Sequence, residues 1–177
     1  MFTQTKVLPK VLTFSQVKYY IFSAVFVGLA VATPTIFHQF NLAGPTFLPM
    51  HIFVMLAGLL FGWRTGVLVG LLSPLMSYGI THLPPMAILP ETILELAVYG
   101  LAAGLLREKS FNVWFALLGA MILGRLARLA FIIAAGSEAN PWMFIQMSWP
   151  GIVLQLALIP AVVYFLQRFL FKKSEPR

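Results

Sequence analysis

"LGRLARLAFIIAAG", residues 123–136, sets Arg125 and Arg128 inside a run that is otherwise apolar. How the chain is read turns on what two guanidinium groups do where lipid is expected. The 177 residues are 60% hydrophobic and only 10% charged, with a mean hydropathy of +0.90. A soluble domain carries about 25% charged residues, so this is an all-α integral membrane protein with a single transmembrane domain over 1–177. A hydrocarbon core of ~30 Å takes about 20 apolar residues per crossing, which allows five or six spans and leaves no room for a soluble catalytic domain. Cysteine is absent, which removes disulfide and thiolate chemistry. The net charge of +7 raises nucleic acid as a partner. However, the basic residues sit at span ends rather than in a patch interleaved with aromatics, so none is expected.

Hydropathy places spans at about 18–37, 50–62, 65–81, 86–106, 112–136 and 148–171. The N-terminal lysines and "AVA" (30–32) imitate a secretory signal, but a long apolar stretch followed by further spans is an ordinary polytopic N-terminus. The second span is short. "MHIFVMLAGLLFG" (50–62) covers only ~20 Å, so it must be tilted, shielded by protein, or continuous with a loop that dips into the membrane. The preceding "HQFNLAGPTFLP" (38–49) cannot be regular helix, and is expected to form a folded first outer loop. Orientation follows from Lys and Arg: Lys6, Lys10, Lys18, Arg64, Arg107, Lys109, Arg168, Lys172, Lys173 and Arg177 fall on one side, and the connections near 38–49, 81–85 and 137–147 have none. That is the positive-inside pattern for six crossings with both termini cytoplasmic.

Only Arg125 and Arg128 are left over. A mid-span Arg costs ~2.5–3.5 kcal/mol on insertion scales, so both are expected to face protein or a wet cavity. Their spacing of three puts them on one helix face. On the preceding span, "PETILELAVYGLAAGLL" (90–106), Glu91, Glu95 and Tyr99 recur every four residues, again on one face. Counted from outer ends near Pro85 and Gly136, the four charges lie ~9–16 Å deep. Antiparallel neighbours then set Glu95 beside Arg125 and Glu91 beside Arg128. Two readings stay open. Either the arginines only neutralise carboxylates, or a guanidinium with five N–H groups keeps donors for a solute acceptor.

"SEANPWMFIQMSWPG" (137–151) supplies Glu138, Asn140, Trp142, Gln146 and Trp149 at the outer fringe, as interface anchors or as contacts to an organic solute. His51 stands at the mouth of the short span, either solvated or a ligand donor. His38 and His82 lack partners at metal-ligand spacing, so neither a metal nor any other cofactor is expected. No G-x-x-x-x-G-K-[ST], H-E-x-x-H or G-x-S-x-G occurs, so energy must come from a partner or a gradient. In "SAVFVGLAVA" (23–32), Ala24, Gly28 and Ala32 recur every four residues, the spacing that lets a second helix approach closely in lipid.

With these features the chain resembles the substrate-binding S components of energy-coupling factor (ECF) vitamin transporters. "GPTFLPMHIFVMLAGLLFGWRTGVLVGLLSPLMS" (44–77) is similar to the loop and second and third helices of the riboflavin- and pantothenate-type branch, and "PETILELAVYGLAAGLLRE" (90–108) to its fourth helix. The resemblance implies a non-enzymatic subunit of an ABC-type importer in the bacterial plasma membrane. It would capture a vitamin or precursor from outside and deliver it by toppling on a transmembrane coupling (T) protein with two ATPases. It further implies docking of the coupling protein on Ala24, Gly28 and Ala32. In the solute-binding regions stand Asn41, His51, Glu91, Glu95, Arg125, Arg128, Trp142, Gln146 and Trp149, with a carboxylate such as pantothenate the favoured solute. A membrane scaffold, or an intramembrane enzyme using Glu91 and Glu95, are the alternatives.

Overall fold

A computed structural model of the chain describes residues 11, 14–39, 44–136 and 141–170. Among these the structure is all helix: α1 Val17–Gln39, a single turn α2 Gly44–Phe47, α3 Pro49–Phe61, α4 Trp63–Thr81, α5 Leu89–Glu108, α6 Val113–Ala134 and α7 Pro141–Leu170. Four helices are long and apolar enough to cross a bilayer, over 17–37, 89–108, 113–134 and 142–166. It is a multi-pass membrane protein.

The short span is explained by its surroundings. Every residue of α3 except Phe53 is buried, because α1, α4, α5 and α7 pack around its thirteen residues. A helix with no lipid-facing side need not match the bilayer thickness, since its ends meet protein and not hydrocarbon. Leu48, in the left-handed region at φ 49°, turns the chain into α3, and Pro49 fits its first turn, where no N–H is required. Gly62, at φ 93°, makes the corner into α4, a conformation that a side chain would strain. Glu108 Oε1 accepts from the Trp63 N–H at 3.0 Å, closing that end against α5.

What holds α3, α4 and α5 together is a row of glycines at every fourth position: Gly58, Gly62, Gly66 and Gly70. Gly66 and Gly100 lie backbone to backbone, so a Cβ on either would strike the other's main chain. Gly70 abuts the Leu96 carbonyl, and Gly104 abuts the Trp63 backbone. In lipid, where apolar burial supplies little drive between helices, close backbone approach is the main source of packing energy.

Several sequence expectations need correction. The last helix begins at Pro141 rather than 148, because Pro at the first position of a helix is pre-organised for it. The stretch 141–147 is therefore helix and not connection. The segment 38–49 is not irregular throughout either: α1 runs through Pro34 to Gln39, and residues 44–47 form the α2 turn, which packs on α7 at Gly151. The small residues of α1 lie on its outer side among the described residues. Ala24, Gly28 and Ala32 are exposed, and a Cβ built on Gly28 meets nothing within 4 Å.

Gly100→Ala is accordingly expected to destabilise the fold by roughly 1–3 kcal/mol, the usual cost of overpacking. Gly28→Ala is expected to leave the unfolding temperature in detergent unchanged. Equal melting of the two variants would refute the backbone-contact account.

Candidate functional site

Three helices converge on one carboxylate. Glu91, Glu95 and Tyr99 line up along α5 at intervals of four, and Arg125 and Arg128 lie three apart on the facing side of α6. His51 comes from the first turn of α3, set there by the Leu48 corner. Gly124 lets α6 close on α5, since a Cβ there would run into the Tyr99 ring.

Glu95 is wholly buried. Its Oε1 lies 3.0 Å from Arg125 Nη1 and accepts from the Tyr99 hydroxyl at 3.1 Å. Its Oε2 accepts from Arg128 Nη1 at 2.9 Å, with His51 Nε2 at 3.8 Å. Arg128 Nη2 donates to Glu91 Oε1, so this one guanidinium joins both carboxylates. The pairings expected from depth, Glu95 with Arg125 and Glu91 with Arg128, are both present, and Arg128 adds a third. Two carboxylates against two guanidiniums make the cluster formally neutral, as charges in a low-dielectric interior require.

Some donors nevertheless remain. Arg128 Nε and both His51 ring nitrogens are buried and have no hydrogen-bond partner. An unpaired buried N–H costs about 1–3 kcal/mol, so Arg128 Nε and the one N–H of a neutral His51 call for an acceptor, while the other His51 nitrogen calls for a donor. His51 and Arg128 line a cavity of about 200 Å³ reached by α1, α3, α4, α5, α6 and α7 and by the 82–88 turn. His51, Arg125 and Arg128 line it, with Ser77, Thr92 and Ser148 adding hydroxyls among mostly apolar walls. Ser148 Oγ accepts from Arg125 Nη2 at 2.9 Å, and the Phe144 ring faces Arg128, 3.9 Å from Cζ to the ring centroid.

Of the residues singled out in the sequence, His51, Glu91, Glu95, Arg125 and Arg128 come together. Glu91 and Glu95 stand behind the arginines and do not line the cavity. Trp142, Gln146 and Trp149 do not reach it: they are exposed on the opposite side of α7. Asn41, Glu138 and Asn140 lie outside the described residues. What the sequence reading missed on α7 is the row Phe144, Ser148, Gly151 and Gln155, the inward side of a helix begun at Pro141. Starting that helix at the right residue would have found it, since 144, 148, 151 and 155 share one helical face. Thr92 and Ser77 carry no sequence signal, being lone hydroxyls on apolar helices.

If the cluster is one coupled unit, Glu95→Gln strands two guanidiniums and is expected to destabilise by ~3–5 kcal/mol, part of which Arg125→Met restores. A double-mutant cycle read by thermal unfolding checks this; additive losses would show that the pair does not interact.

Comparison with known proteins bears on this site. No curated protein and no solved structure matches the chain. A family model, ECF transporter, substrate-specific component, matches residues 18–166, which takes in α1 and every element that forms the site. The chain belongs to the substrate-specific components of ECF transporters, transporter subunits that are not enzymes.

Proposed function

We propose that the chain captures a water-soluble vitamin or vitamin precursor from outside the bacterial plasma membrane and hands it to a coupling protein energised by two ATPases. The observation that carries this reading is the cavity lined by His51 and Arg128, whose buried side chains keep an unpartnered donor each, set beside arginines whose charge is already balanced. That balance also bears on the solute. A carboxylate, the choice suggested by the arginines alone, would bring an uncompensated negative charge into a buried site, at a desolvation cost of several kcal/mol. An uncharged acceptor, such as a carbonyl, an amide or a ring nitrogen, satisfies the free donors without it. The same pairing disfavours an enzyme, because both carboxylates are engaged by guanidiniums and neither is available as a base.

Six crossings with cytoplasmic termini fit the one-sided distribution of Lys and Arg and the protein-shielded α3. Thr65, Ser73 and Ser77 of α4 are buried, so they face protein and not lipid. Likeness of 44–77 and 90–108 to the riboflavin- and pantothenate-type branch supports placing the chain there. The exposed Ala24, Gly28 and Ala32 leave α1 open to a second helix, as a coupling partner needs.

Protein purified in detergent from cells grown in rich medium, then denatured, is expected to release one small molecule in stoichiometric amount by mass spectrometry. A folded Arg125→Ala protein is expected to release none. An empty wild-type protein with no thermal shift across a vitamin panel would overturn the capture reading in favour of a scaffold. In a reconstituted importer, Gly28→Leu is expected to lower uptake at least tenfold while solute release on denaturation is retained; unchanged uptake would place the coupling partner elsewhere.

A further inference from the structure

The arginines that line the polar chamber also line a second space. A second cavity, of about 410 Å³, lies between α6 and α7 and shares Arg125, Arg128 and Phe144 with the first. Its walls are almost wholly apolar, among them Leu118 and Ile122 of α6 and Ile152 and Leu156 of α7, and Arg125 and Arg128 present little polar surface to it. It exists because α6 packs broadly on α5 but touches α7 sparsely. The two spaces differ in chemistry and share one wall, formed by Arg125, Arg128 and Phe144. One offers donors and hydroxyls; the other offers only hydrocarbon.

We infer that the captured solute is bipartite, with a hydrogen-bond-accepting head in the polar chamber at His51 and Arg128 and an apolar extension in the α6–α7 cleft. This rests on the capture reading above and adds to it a class of solute. The Phe144–Arg128 contact forms the boundary, and a chain passing it would touch a ring on one side and the arginine stems on the other. From Arg125 to Leu118 is seven residues of helix, about 10 Å of axial rise. That sets the reach of the extension along this wall. An occupant that also filled the chamber would meet the free donors there, whereas a bilayer lipid lying along the outer side of the cleft would leave them unmet.

Benzamide, phenylacetamide, 3-phenylpropanamide and 4-phenylbutanamide share an uncharged acceptor head and lengthen only the apolar part. Their affinities for the whole protein in nanodiscs are to be measured by ligand-observed NMR, with empty nanodiscs subtracted for partitioning into lipid. Affinity is expected to rise about fourfold per methylene. Leu118→Trp and Ile122→Trp fill the cleft from exposed positions, where the fold tolerates bulk. In these variants, matched to wild type by melting temperature, the four amides are expected to converge on one affinity. Arg125→Ala is expected to weaken all four. A series that is flat in wild type, or one whose rise survives both tryptophans, would overturn the bipartite solute and leave the capture reading standing. A series in which no amide shows Arg125-dependent binding would remove both.

Discussion

The constraint on which the structure turns is Glu95, a carboxylate with no access to solvent on a helix that crosses a membrane. Left alone, such a charge would cost several kcal/mol. It is held by two guanidiniums and a tyrosine hydroxyl drawn from two helices, so α5 and α6 must meet at one register and one rotation. The three-residue spacing of Arg125 and Arg128 then puts both over the same carboxylate, and Glu91 takes up the other side of Arg128. Neutrality is reached within the protein. The donors left over are therefore those whose positions the cluster fixes without using them.

Such a network is only as exact as the backbone behind it, and the glycine row provides that backbone. Because Gly66 and Gly100 touch main chain to main chain, α4 and α5 have little freedom to slide. Gly58 closes on the same stretch of α5 and brings α3 with it, which delivers His51 to within 3.8 Å of Glu95. Removing side chains from the packing surface thus places the charged side chains elsewhere on the same helices. On α6 the arrangement repeats once, at Gly124 against Tyr99, the residue that also donates to Glu95.

Much of this was legible in the sequence, and the limits are instructive. The pairing of Glu91 and Glu95 with Arg128 and Arg125 follows from helical rise and antiparallel neighbours alone, because burial gives those charges few alternatives. The spacing of Gly58, Gly62, Gly66 and Gly70 is equally visible, but its partner is not: that Gly100 lies opposite Gly66 is a tertiary fact. The small residues of α1 are exposed among the described residues, so their spacing concerns a surface that the fold of this chain does not use. On α7 the aromatic residues misled. Trp142 and Trp149 are conspicuous in sequence yet exposed, whereas Phe144 and Ser148 carry the inward face, and only the helix start at Pro141 separates the two sets.

The site lies where a tightly packed part of the molecule meets a sparsely packed one. α3, α4 and α5 are joined by backbone contact, and α6 is locked to them by ion pairs. α7 makes few contacts with α6; it is tied mainly to the α2 turn, through Gly151 against the Thr46 and Phe47 carbonyls, and to Leu48, whose carbonyl accepts from Gln155 at 3.4 Å. The wall that contributes Phe144 and Ser148 is therefore held by the same short segment that leads into His51. A change in the α2–α3 corner would move both the donor on α3 and the facing wall on α7, while the charged cluster, anchored in α5 and α6, stayed in place.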